Sequence, residues 1–233
     1  MSDLPAAMTL QLPLGISLKP SVDFAGFIAG RNDELLSRLH NALDPFLYLW
    51  GESASGKSHL LQAACQQAQS NNLQPAYLPL RREHGLKPEM LEGLESFALV
   101  CLDDLERIAG NAEWERAIFN LFNLLRESGA QLLVAADRPP AKLPLDLPDL
   151  ASRLTWGPCY HLLPLDDEGR LELLLASAER RGMSMSVETA SFLLQRTPRD
   201  IHFLSLLMDR LDSASLAAQR RLTIPFVREI LNL

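Results

Sequence analysis

The stretch "FLYLWGESASGKSHLLQAACQQAQ" constrains this chain more than any other. An apolar run (46–50) feeds directly into Gly51-Glu52-Ser53-Ala54-Ser55-Gly56-Lys57-Ser58, which satisfies G-x-x-x-x-G-K-[ST], and a helical pattern follows at once. Strand, glycine-bounded loop and helix in that order form the phosphate-cradling device in which successive backbone N–H groups curl around phosphate oxygens. Lys57 reaches the outer phosphates of a nucleotide and the Ser58 hydroxyl ligates Mg²⁺. The motif therefore commits the chain to an α/β fold with the loop between a buried strand and its following helix.

The rest of the sequence agrees. "QPAYLPL" (74–80), "FALVCL" (97–102), "QLLVAA" (131–136) and "YHLL" (160–163) join "FLYLW" as five candidate strands. None alternates apolar with polar, as expected of strands buried on both faces of a mainly parallel sheet. Between two of them, Trp114, Ile118, Leu121, Phe122 and Leu125 fall on one helical stripe from about Ala112 to Ser128, with Gly129 as the stop. Three units follow: an extended tail over 1–20, an α/β core over 21–163 and a small helical subdomain over 164–233. In the last, "TPRDIHFL" reads as a helix start with Thr197 as cap, Pro198 in the first turn and Asp200 closing a capping box. That would put Arg199 in a first turn, where the helix dipole disfavours a cation unless an anion lies nearby.

"FALVCLDD" delivers two carboxylates from a buried strand end. Asp103 is placed to hold Mg²⁺ through water and Asp104 to polarise an attacking water. Arg153, just before the last strand, would project from the domain edge. Cys65, Cys101 and Cys159 are odd in number and lie in apolar contexts, so all three are expected as buried free thiols in a reducing cytoplasm. No HExxH or CxxC pattern indicates a transition-metal site. A net charge of −7 and dispersed arginine pairs argue against a DNA-binding surface of the chain's own, so DNA would be reached only indirectly. No run long enough to span a membrane and no secretory leader pattern is evident.

These residues together resemble the AAA+ module of the bacterial replication initiator DnaA. "FIAGRNDELL" (27–36) is similar to its adenine-side box, which would set Phe27 and Ile28 beside the base. "GESASGKSHLLQA", with His59 continuing the loop, is similar to its phosphate loop, and Asp103-Asp104, "ADRPP" (136–140) and "LASRL" (150–154) also fit. The likeness runs from about residue 20 to 233 and ends before the point where DnaA begins its DNA-binding domain, which resembles the Hda family, regulators that make DnaA hydrolyse its ATP. In the tail, Gln11-Leu12-Pro13-Leu14 is similar to peptides that dock on the sliding clamp of DNA polymerase III.

By position, the resemblance implies Arg153 as an arginine finger acting in trans, Arg199 as a lid arginine on the nucleotide and Asp137 at the sensor position. It implies ADP (or ATP) with Mg²⁺ as ligand, and weak or absent intrinsic hydrolysis. The implied partners are DnaA and the DNA-loaded clamp, with a homo-oligomer left open and no membrane involvement. The function implied is negative regulation of replication initiation in the cytoplasm. An alternative is a helicase-loading ATPase of the same fold.

Overall fold

The computed structural model describes residues 22–81, 85–198 and 200–231. Five parallel strands, β1 (Phe46–Trp50), β2 (Pro75–Pro79), β3 (Leu99–Asp103), β4 (Gln131–Ala136) and β5 (Cys159–His161), form one sheet in the order β2-β3-β4-β1-β5. Residues on both faces are buried. In β1, Phe46 and Tyr48 turn to one side and Leu47 and Leu49 to the other. The first side is covered by α3 (Ala112–Ser128) and α4 (Pro148–Leu154), the second by α1 (Asp33–His40) and α2 (Lys57–Ser70).

The strand order decides where chemistry gathers. β4 lies between β1 and β3, with Trp50 opposite Ala136 and Leu102 opposite Val134. The carboxyl ends of three adjacent strands therefore bring the phosphate loop, Asp137 and the Asp103-Asp104 pair side by side. Ligands of open α/β sheets bind at that edge.

The C-terminal helices α5 (Asp167–Arg180), α6 (Val187–Arg196), α7 (Ile201–Ala218) and α8 (Ile224–Leu231) enclose a separate core around Leu174, Leu193, Leu211 and Phe226. Two caps differ from expectation. Thr197 closes α6, its Oγ1 donating to the Leu193 carbonyl at 2.8 Å, while Asp200 starts α7 by accepting from the Phe203 N–H at 2.8 Å. Thr197 cannot cap α7 because that helix starts four residues later, at Ile201. Arg199 thus precedes the cap in sequence and is not a first-turn residue of α7. Arg199 itself, and Gln11, Leu12, Pro13 and Leu14, lie outside the described residues. The thiols also differ: Cys65 and Cys101 are buried 3.5 Å apart, but Cys159 is exposed, because it sits on the short edge strand β5.

Asn32 ties the start of the core to the segment that leaves β5. It is buried, donates to the Ala29 and Leu163 carbonyls at 2.9 and 3.0 Å, and accepts from the Leu163 N–H at 2.8 Å. Removing one partner of a buried hydrogen bond leaves the other to carry the desolvation cost. Asn32→Ala should lower stability by about 2 kcal/mol, read as a shifted urea midpoint with unchanged slope.

Candidate functional site

A cavity of about 1070 Å³ opens at the carboxyl edge of the sheet. Glu52 to His59 form one wall, Asp104, Glu106, Arg107, Asp137 and Arg138 the floor, and Asp200, Ile201, His202 and Ser205 at the start of α7 the roof. Helix α2 begins at Gly56, which has φ +103° and offers no side-chain cap, so its first N–H groups are left for an anion. A Cβ at Gly56 would stand 2.7 Å from the Phe27 ring, so only glycine lets Phe27 close over the loop. Phe27 also meets the His59 ring at 5.6 Å, and Ile28 beside it is half-buried.

Lys57 is buried and donates to the Gly51 and Glu52 carbonyls, both at 2.8 Å. Two of its three protons brace the loop and a third is left for a phosphate oxygen. Burial lowers its pKa, against the opposing pull of Asp103, Glu106, Asp104 and Asp137. The Ser55 hydroxyl is buried with no hydrogen-bond partner among the described residues, an orphan that a phosphate oxygen would satisfy. These features fit a nucleotide's phosphates.

Beneath the loop, Asp103 accepts from the Tyr77 hydroxyl at 2.7 Å, from the Asp104 N–H at 3.0 Å and from the Ser58 hydroxyl. Burial raises its pKa, and the Ser58 and Tyr77 hydrogen bonds only partly offset that. A divalent cation between Ser58 and Asp103 would remove the cost of that buried charge. Among the described residues no cluster of three or more His, Cys, Asp or Glu side chains could hold a metal, so most of an Mg²⁺ shell would come from water and phosphate.

Asp104 adopts a left-handed backbone, φ +59°, and its Oδ2 meets Arg81 Nε at 2.5 Å. Asp137 is gripped through both oxygens by Arg138 at 2.7 and 2.8 Å, which lowers its pKa, and its N–H donates to Glu106 Oε2 at 3.1 Å. Burial raises the Glu106 carboxyl, with Asp104 and Asp137 adding to the effect. Tyr48 reaches up from the core to donate to the Arg138 carbonyl at 2.8 Å.

The structure thus gathers Glu52 to His59, Asp104 and Asp137 around one cavity, with Asp103 below and Phe27 against the loop; Ile28 does not line it. Arg153 lies on α4, away from the cavity, its guanidinium 6.0 Å from the Phe119 ring and 5.4 Å from the Trp156 ring. Sequence reasoning missed Arg81, Glu106, Arg107 and Arg138. It also passed over Arg180, whose guanidinium in α5 lies against Gly26 and beside His59. Only Arg138 carried a signal, by following the sensor position directly. Burial lowers the His59 pKa and Arg180 adds to that, against the opposing hydrogen bond to the Asp23 carbonyl.

Substitution at Asp103 should separate stability from binding. Because its carboxyl titrates above the ordinary range in the folded state, ionisation costs stability once pH passes the unfolded value. Asp103→Asn should therefore be more stable than the parent at neutral pH, with the gain vanishing below the usual carboxylate pKa. It should also lose about 10–100-fold in Mg²⁺-dependent nucleotide affinity, measured by calorimetry with and without chelator.

Residues 18–160 match the family model for the bacterial DnaA ATPase domain, and residues 167–231 match the model for the Hda lid domain. Domain III of DnaA from Thermotoga maritima superposes with a TM-score of 0.78 at 22% identity, covering 93% of this chain and 98% of that one. AMPPCP-bound DnaA from Aquifex aeolicus gives 0.71 at 23% identity, covering 86% and 67%. RuvB from Thermotoga maritima gives 0.69 at 16% identity, covering 93% and 73%. Among the described residues no helix is long and apolar enough to cross a membrane. With an AAA+ core matched over most of its length and a lid of matching type, the chain belongs to the DnaA-related AAA+ family, as an Hda-like protein of replication control.

Proposed function

We propose that this protein holds ADP, or ATP, with Mg²⁺ as a structural ligand and uses Arg153 to complete the ATPase site of DnaA in trans. The observation that carries the reading is the setting of Arg153. It sits outside its own nucleotide cavity, makes no ion pair among the described residues, and is held against two aromatic rings on a surface a partner can reach. A cation so held is pre-organised to meet the charge developing on a transferred γ-phosphoryl group. The chain's own cavity supports the other half. Asp104, the carboxylate expected to polarise water, is engaged by Arg81, so a nucleotide bound here is kept and sets the geometry of the lid. Gln11 to Leu14 would recruit the protein to the DNA-loaded sliding clamp, so that DNA is met through the clamp, in the cytoplasm where initiation is controlled.

The test is hydrolysis of ATP preloaded on DnaA in the presence of DNA-loaded clamp and ADP. Arg153→Ala should lower the stimulated rate by on the order of 10³–10⁵ while leaving ADP affinity unchanged. Leu12→Ala/Leu14→Ala should abolish clamp dependence. If the unmodified protein gives no stimulation, the reading fails, and turnover stimulated by single strands would favour a helicase loader. Arg81→Met should free Asp104 and raise the protein's own hydrolysis by up to about 10²-fold, seen in single-turnover assays.

A further inference from the structure

Helix α3 carries one buried charge that neither the core nor the nucleotide site uses. Glu115 is 0% exposed. Its Oε1 accepts from the Gly110 N–H at 2.7 Å and the Asp146 N–H at 3.2 Å, and its Oε2 accepts from the Leu147 N–H at 2.7 Å. A buried carboxylate is costly unless each oxygen is satisfied, and here backbone donors do so. Two of the three donors belong to the entry of α4, the helix that carries Arg153. Leu147, the residue at the cap position of α4, offers no side-chain hydrogen bond, and Pro148 follows it. Glu115 thus anchors, from a neighbouring helix, the backbone that leads into α4, holding the N–H groups of the residue at its cap position and of the one before it.

The contacts continue along the same stripe of α3. Glu115, Phe119, Phe122 and Arg126 are spaced four, three and four residues apart and so share one helix face. Phe119 lies beside the Arg153 guanidinium, Phe122 meets Trp156 edge-on at 6.4 Å, and Arg126 stands 4.2 Å over the Trp156 ring. One stripe therefore holds the segment 146–156 at both ends and in the middle. At seven residues α4 is too short to hold a direction by itself, so its bearing must come from what grips it.

We propose that Glu115 is a positioning residue for Arg153: by anchoring the entry of α4 to α3 it fixes the direction in which the finger is presented. This rests on the trans-acting reading of Arg153. Glu115 also holds Gly110, seven residues after Asp103, so the finger helix is braced against the segment that leaves the acidic strand.

The test uses the full chain with ATP-loaded DnaA, DNA-loaded clamp and ADP. Glu115→Gln keeps the shape but turns one acceptor into a donor facing an N–H group; Glu115→Asp keeps both oxygens on a shorter stem. For Glu115→Gln, the maximal stimulated rate should fall by about 10²-fold, the cost of a misplaced catalytic group, with the half-saturating concentration and ADP affinity unchanged. Hydrogen exchange at the Asp146 and Leu147 amides should speed up while the sheet amides stay protected. Glu115→Asp should recover part of both. Faster exchange with full maximal stimulation would overturn the proposal, as would unchanged exchange. Global unfolding of both variants would make Glu115 a residue of the whole fold and would also overturn it. Absence of stimulation by the unmodified protein would remove the trans-acting finger itself, a result distinct from stimulation that survives Glu115→Gln.

Discussion

Five strands covered on both faces leave their polar neighbours a single outlet, the rim where the strands end. Leu102 and Val134 cannot share their layer with a carboxylate, so Asp103, Asp104 and Asp137 follow the last apolar residues and collect on the same side. The parallel direction of all five strands adds the phosphate loop to that rim. Every later feature of the site inherits this crowding, because charges that share a low-dielectric rim must be paired or shielded.

The pairing is thorough. Arg81 takes Asp104, Arg138 takes Asp137, and Asp103 is satisfied by the Tyr77 and Ser58 hydroxyls. Lys57 is turned towards its own loop through two carbonyls. In a site arranged in this way the carboxylates nearest the phosphate loop already have partners. Arg153, by contrast, rests on the rings of Phe119 and Trp156 rather than on a carboxylate. The interior of the site is thus neutralised by ion pairs and hydrogen bonds, while the cation on α4 is not.

What could be read from the sequence followed from local pattern. "FLYLW", "QLLVAA" and the glycine-bounded loop announce themselves because period and spacing are local properties, and α3 ends where Gly129 takes its left-handed turn. Thr197 and Asp200 show the limit: both are good caps, three residues apart, and only the packing of α6 decides between them. Arg81 and Asp104 are separated by a strand and its connections, so nothing local marks their pairing. Glu115 is harder still, because its partners are backbone N–H groups, which every residue but proline carries. Cys159 resembles the other two thiols in its apolar setting, but it lies on an edge strand of three residues that has a strand on one side only.

The segment that leads into the helical bundle packs on a short stretch at the start of the core. Asn32 joins Ala29 to Leu163, and Leu165 packs so near Gly30 that a methyl group there would stand 2.9 Å from its Cδ2. That stretch begins with Phe27, whose ring covers Gly56 at the mouth of the phosphate loop. The helical bundle therefore begins within a few residues of Phe27, so its attachment to the core and the lining of the phosphate loop share one short piece of chain.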